Sequence, residues 1–338
     1  MMSKRTNRFR IIFTVGLAVL FSGLALSIFC GPADSAEKRP LKLDFVYIPL
    51  PPDSPTVVYW SWFSKEVEKR TNGNILITFY PGTLTTNENQ IWQMVVTGVA
   101  GLGCPSAVAT TVYQRFELAV LPFIFRDYDH AYKVLDGEIG AEFAREIESQ
   151  HPVKVLTFYD YGFRHFWGKK PISKLDDFKG MKLRVPTRAL GDFVAAAGGS
   201  PIHMSFGEVI PAVQQGALDG AELPMANIIA MKCYDVSKYC SLTRHSFGAG
   251  FFVMNRDVWN GLTPDEQKIV LQAAKEARNN QIKMYLEVEK KGRGVLESKG
   301  MKVNEVDTKP FVELAVREVY PKYEKYGKET IRRIVETK

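Results

Sequence analysis

Leu41-Lys42-Leu43-Asp44-Phe45-Val46-Tyr47, then Ser54-Pro55 opening a segment that runs to Arg70, then Asn72-Gly73 and Ile75-Leu76-Ile77-Thr78-Phe79-Tyr80, form the part of the chain that decides its class. In the first run Leu41, Leu43, Phe45 and Tyr47 alternate with Lys42, Asp44 and Val46, close to the two-residue period of a strand. Ser54 is an N-cap residue, and Pro55 sits at the first helical position, where its missing N–H removes no helical bond. Asn72-Gly73 stops the helix, and the third run is again a strand. A strand, a crossover helix and a second strand of these lengths make a βαβ unit and a largely parallel sheet. The expected class is α/β.

The same grammar continues outward. A helix is predicted from about Asn87 to Thr97, stopped by Gly98, and a short strand from Gly101 to Cys104. Val155 to Trp167 reads as a long aromatic strand and Met181 to Val185 as another. Thr187 caps a helix ending at Gly198-Gly199, and Ser205-Phe206-Gly207-Glu208 is a capping box for a helix ending near Gly216. Thr263-Pro264-Asp265-Glu266 launches a helix that passes Met284 and reaches Lys291, long enough to run along two lobes.

Upstream, Lys4, Arg5, Arg8 and Arg10 precede an uncharged run from Ile11 to Phe29 and the small-residue stretch Gly31-Pro32-Ala33-Asp34-Ser35-Ala36. That order is the order of a secretory signal. The run approaches the ~20 residues of a membrane span, so an uncleaved anchor is the alternative; cleavage near Ala36 and a periplasmic address are expected. Phe29 before Cys30 argues against a lipidated cysteine. Residues 37–338 then remain, more than one core usually supports, which points to two lobes. The leader carries a net +3 of the chain's +7, and the remaining bases are scattered, which disfavours nucleic acid as a partner. Cys104, Cys233 and Cys240 survive cleavage; an oxidising compartment permits a Cys233–Cys240 bridge, but spacing does not establish one.

No motif for catalysis is present. The five histidines form no His-Glu-x-x-His pair, and there is no Gly-x-Ser-x-Gly elbow or phosphate-binding Gly-x-x-x-x-Gly-Lys loop. Gly101-Leu102-Gly103-Cys104-Pro105-Ser106 lacks the third glycine of a dinucleotide fingerprint, and Arg126-Asp127-Tyr128-Asp129-His130 reads as a capped helix start rather than a metal site. No cofactor, metal or enzymatic activity is expected.

The informative residues are two arginines. Arg164 lies inside Tyr161-Gly162-Phe163-Arg164-His165-Phe166-Trp167, and a guanidinium in so apolar a strand needs an anion close by. In Met181-Lys182-Leu183-Arg184-Val185, which Pro186 ends, Arg184 faces away from the core side of its strand. Guanidinium groups grip carboxylates through paired hydrogen bonds. Either an internal Asp or Glu or the carboxylate of a ligand fits each arginine.

Several segments together resemble the periplasmic receptor subunit of the tripartite ATP-independent periplasmic (TRAP) transporters. They include Leu121-Pro122-Phe123-Ile124-Phe125-Arg126-Asp127, Gly162-Phe163-Arg164-His165 and Asp176-Asp177-Phe178-Lys179-Gly180-Met181-Lys182-Leu183-Arg184-Val185-Pro186. Gln214-Gln215-Gly216-Ala217-Leu218-Asp219-Gly220 and Trp259-Asn260-Gly261-Leu262-Thr263 extend the resemblance over the rest of the chain beyond the leader. It implies two α/β lobes with a long helix spanning both, here 37–161 with 249–288 and 162–248 with 289–338. It further implies that Arg184 pairs with a ligand carboxylate, that Arg164 assists, and that the partners are a small organic carboxylate and a sodium-coupled permease of two subunits. Two positions depart from the family pattern. Leu223 stands where many relatives carry asparagine, which puts one polar ligand contact in doubt, and Gly101 stands where relatives often place an acid. With Tyr161, Phe163, Trp167 and Phe206 near the matched motifs, a ligand with an apolar or aromatic body is expected. A secreted enzyme or a sensor using the same cleft is the rival reading.

Overall fold

The computed structural model describes residues 39–105, 108–204 and 206–338. The proposed signal at 1–36 and the Ser205 cap lie outside the described residues. Strand β1 (Leu41–Tyr47) pairs in parallel with β2 (Ile75–Pro81), and the Pro55–Arg70 helix between them begins at Ser54, whose side chain accepts from the Val57 N–H. Asn72 and Gly73 take φ of 52° and 79°, the left-handed turn that ends the helix. The opening βαβ unit is therefore formed as its sequence predicts.

Seven more strands join one sheet: β3 (Leu102–Gly103), β4 (Val153–Gly168), β5 (Lys182–Arg184), β6 (Ser200–Ile202), β7 (Gly220–Pro224), β8 (Tyr239–Asn255) and β9 (Lys302–Glu305). The order is β2-β1-β3-β8-β4-β7-β5-β6, with β9 on β8. The two long strands, β4 and β8, run antiparallel along the middle. β8 meets β3 near its C-terminal end, and β4 meets β7 near its own C-terminal end, so this pair carries the chain from one α/β half to the other. Buried side chains gather into a large cluster around Phe45, Trp60, Phe63 and Phe252 and a smaller one around Trp167, Val213, Leu223 and Leu296. Cys104, Cys233 and Cys240 are free and buried.

The pairing of β4 with β8 is interrupted by register shifts, one of them between Asp160 and Phe163. Gly162 takes φ of 90° there, a region closed to residues with a Cβ except under strain. The Asp160 carboxylate accepts the Gly162 N–H at 2.5 Å and the Tyr132 hydroxyl. The bulge is gripped by the Pro264–Ser298 helix: Gln281 Nε2 donates to the Asp160 carbonyl at 2.7 Å, and Glu289 Oε1 accepts from Tyr128 at 2.8 Å and from the Phe163 N–H at 3.3 Å. Thr263 and Glu266 form the capping box that starts this helix, and it continues seven residues past the predicted Lys291. Gly292 within it is required by packing, since a Cβ there would lie 2.4 Å from Met225 Cγ. Gly162→Ala combines the disfavoured backbone with a Cβ 2.9 Å from the Tyr128 hydroxyl. Urea unfolding should show a loss of about 1–3 kcal/mol; an unchanged midpoint would mean that the bulge is not held as described.

The C-terminal segment touches both halves. Lys322 and Tyr323 bind Asp192, whereas Arg333 binds Glu138 and Glu142. Asp127, in the acid-rich Arg126–His130 stretch, caps the Tyr128–Leu135 helix, and His130 Nε2 is bonded to the Ile334 carbonyl.

Candidate functional site

Arg164 and Glu222 are brought together by strand register. β4 and β7 are antiparallel with Arg164 opposite Pro224 and Phe166 opposite Glu222, so the arginine and the acid are diagonal neighbours on one face. The Arg164 Nε donates to Glu222 Oε2 and its Nη2 to Oε1 at 2.7 Å, with a further bond from Nη2 to the Glu222 carbonyl at 3.0 Å. Glu222 has no exposure. Burial alone would raise its pKa, but the Arg164 charge and hydrogen bonds hold it below the ordinary carboxylate value. His245 Nε2 lies 3.5 Å from the same carboxylate, and burial lowers the pKa of that ring. Of the two sources of negative charge open to Arg164, the internal one is realised.

Arg184 differs. It lies at the end of β5, between β6 and β7, and is 4% exposed even though it faces away from the Leu183 side. Its Nε donates to the Met204 carbonyl at 3.2 Å. Its Nη1 approaches Glu222 Oε1 only to 3.9 Å, beyond hydrogen-bonding distance. Among the described residues its two terminal nitrogens have no hydrogen-bond partner. Burial brings its pKa down to about 10, with Glu222 opposing and Arg164 adding to the shift; it is still a cation at neutral pH.

The two guanidinium groups share an inner chamber of about 60 Å³ with Tyr161, Phe206, Leu223 and Asn227. An outer chamber of about 310 Å³ adjoins it, and Ile48, Glu88, Arg184, Pro186 and Phe206 line both. Arg184 thus stands where a small chamber opens into a larger one. Five of the residues singled out from sequence, Arg164, Arg184, Tyr161, Phe206 and Leu223, line this cavity. Phe163 does not. It is 1% exposed and packs edge-on against Tyr128, with Phe247 tilted against it and the Arg244 guanidinium over its ring. The register shift at Gly162 breaks simple alternation, so Tyr161 and Arg164 reach the cavity while Phe163 enters the core. Trp167 likewise belongs to the smaller core cluster. Sequence reasoning did not single out Glu222 as the partner of Arg164, although an acid within Gly220-Ala221-Glu222-Leu223-Pro224 signals a buried charge. It also missed Asn227, which sits in an unremarkable helical turn.

Beside the inner chamber lies a cavity of about 250 Å³ that includes Glu117, Thr187, Arg188 and His203. Burial pushes the Glu117 carboxyl up to about 7 from 4.5, against hydrogen bonds from the Arg188 and Ala189 backbone and the Thr110 side chain. A carboxyl with a raised folded pKa contributes stability below pH 4.5 that is lost as pH rises through 7. Glu117→Gln should therefore flatten the fall of unfolding free energy between about pH 4.5 and 7, while leaving the opposite loss from Glu222 below pH 4.5. An unaltered slope would place the titration elsewhere.

A two-lobed α/β fold with a lined cavity, in which a buried guanidinium bonds one backbone carbonyl and keeps its two terminal nitrogens without a described hydrogen-bond partner, is suited to holding an anionic solute. Residues 46–326 match the model of the bacterial extracellular solute-binding proteins, family 7, and the chain belongs to that family. It is 30% identical over 252 residues to the C4-dicarboxylate-binding periplasmic protein of Rhodobacter capsulatus, covering 74% of each. Among solved structures it resembles a TRAP periplasmic solute-binding protein from a Polaromonas species bound to D-erythronate. The TM-score is 0.82 and the identity 30%, over 88% of this chain and 99% of that one. A TRAP periplasmic solute-binding protein of Sulfurospirillum deleyianum with bound succinate gives a TM-score of 0.81 and 28% identity, over 88% and 99%. The resemblance read from the motifs, and the two-lobed α/β class with it, are thereby established.

Proposed function

We propose that this chain is the extracytoplasmic receptor of a TRAP transporter, that it binds a small organic carboxylate on Arg184 in the cleft, and that it delivers this ligand to a sodium-coupled membrane permease. The observation that carries the reading is the contrast between the two arginines: Arg164 is answered by Glu222, while the fork of Arg184 is left open toward the cavity. A guanidinium fork matches the two oxygens of a carboxylate, and burial strengthens the pairing. Arg164 assists by fixing Glu222 and by its charge at the chamber wall. Tyr161, Phe206 and Leu223 enclose the ligand body, and carboxylate binding by the relatives supports the class of ligand.

The lobes are 37–161 with 249–288 and 162–248 with 289–338, and the β4 bulge at Gly162 marks one crossing between them. Ligand contacts from both sides select the closed form, which the permease reads. The test is a thermal-shift screen of mono- and dicarboxylates on the protein from residue 37 onward. An acid present at about 100 times its dissociation constant should add ~2.7 kcal/mol of stability. A screen in which sugars or amines stabilise and no carboxylate does would defeat the proposal.

A further inference from the structure

The cavity of about 250 Å³ beside the inner chamber is walled by both halves of the fold. Thr110, Gln114 and Glu117 come from the β2-β1-β3 half, Pro186, Thr187 and Arg188 from the β7-β5-β6 half, and Tyr326 from the C-terminal segment. Thr110, Pro186 and Thr187 line the inner chamber as well, so the two spaces share a wall. Glu117 lies on a short 3₁₀ helix, Gln114–Ala119, anchored to its own half: Arg115 bonds Glu146, and Phe116 packs against Phe143 and Phe158.

The Arg188–Ala196 helix starts on the other side of this cavity. Thr187 caps it by accepting the Leu190 N–H at 3.4 Å, and the Arg188 and Ala189 N–H groups are directed to the Glu117 carboxyl. Pro186 and Thr187 lead into this helix directly from the strand that ends at Arg184. A ligand carboxylate that holds Arg184 therefore also holds the turn that covers Glu117.

Glu117 is 5% exposed, and its Oε2 has no hydrogen-bond partner. From the facing helix Arg188 favours its ionised form, and Thr110 on its own side bonds it. From the C-terminal segment it meets Tyr323, which burial and a bond to Asp192 keep protonated; Asp192 itself is taken by that hydroxyl and by Lys322. His203 and Tyr326 complete the titratable wall. An acid at a helix N-terminus is ordinarily held ionised, but here desolvation wins and the carboxyl titrates at about 7. Parting the halves withdraws the two N–H groups and admits water, which returns it toward 4.5.

Resting on the carboxylate reading above, we propose that closing the lobes over the ligand places a proton from solvent on Glu117, so that acid favours the closed, loaded receptor and alkali the open one. The sign follows from linkage. A carboxyl whose affinity for protons is higher in the closed form favours closure below its open-form pKa, and that contribution is lost as pH rises through the closed-form value. His203 works the other way, since burial and Arg184 oppose its protonation in the closed form. Comparison with a Glu117 variant cancels the histidine.

The probe is the carboxylate that raises the unfolding temperature most in the thermal screen. Calorimetry of its binding in buffers of different ionisation enthalpy counts the protons exchanged. At pH 7 the parent should take up about half a proton more than Glu117→Gln, and the ratio of parent to variant affinity should rise about tenfold between pH 8 and pH 6. Arg188→Gln, at an exposed position, removes the cation that opposes protonation. It should take up more protons than the parent at pH 8, and it keeps the test open if Glu117→Gln misfolds. Equal proton counts in parent and Glu117→Gln, a ratio independent of pH, or no increase in Arg188→Gln overturns the inference and leaves the carboxylate reading standing. If no acid of the screen binds in a manner lost with Arg184→Ala, both fall together.

Discussion

Glu222→Ala is expected to destabilise the unliganded protein by about 3–5 kcal/mol, the largest loss from any single change at the cleft. The carboxylate has no exposure and answers Arg164 through both oxygens, with His245 at 3.5 Å and the Arg184 Nη1 at 3.9 Å. Removing it leaves two guanidinium groups facing each other across a desolvated space. The cost is therefore the stranded charge rather than the intrinsic worth of the ion pair, and replacing both partners should recover much of it. In denaturant titration, Glu222→Ala should have a much lower midpoint than the double variant Arg164→Met/Glu222→Leu. Equal midpoints, or a single variant as stable as the parent, would show that Arg164 is compensated by something other than Glu222.

Arg184→Ala should do the reverse. Its guanidinium makes a single described hydrogen bond, to a backbone carbonyl, and burial already depresses its pKa. Removing it relieves a desolvated charge, so the unliganded protein should be at least as stable as the parent. Binding should suffer: losing one partner of a desolvated charge pair costs about 2–5 kcal/mol, or roughly 30-fold to several thousand-fold in affinity. Arg184→Lys should fall well short of the parent because an ammonium supplies charge without the two parallel donors. Calorimetry against the best acid from the thermal screen reads both variants. Affinity within about twofold of the parent in Arg184→Ala would remove this residue from the site. A large loss of stability together with affinity would recast it as structural.

These two substitutions separate what the chain's local patterns reveal from what they hide. Helix starts at Ser54, Thr187 and Thr263 were legible because a cap involves residues three apart, and the alternation of β1 and the length of β4 follow from local side-chain type. The pairing of Arg164 with Glu222 was not legible, because it joins residues 58 apart through the register of two strands. Phe163 was placed in the site by its neighbours in sequence, whereas the bulge turns it into the core; Gly162 was the only local sign of that irregularity. The long helix runs seven residues past Lys291 to Ser298, through Gly292, which carries little helix propensity of its own and is accommodated by close packing against Met225, a contact between distant parts of the chain. Arg184 was found from its motif, but that its fork is open depends on the 3.9 Å gap to Glu222, which spacing does not encode.

The central claim is that this open fork receives the ligand. A crystal structure of the protein with the tightest-binding acid of the screen tests it most directly. The account predicts a carboxylate with its two oxygens about 2.7–3.0 Å from two Arg184 nitrogens, while Arg164 remains on Glu222. A ligand seated elsewhere, with Arg184 still bonded only to the Met204 carbonyl or drawn onto Glu222, would contradict it.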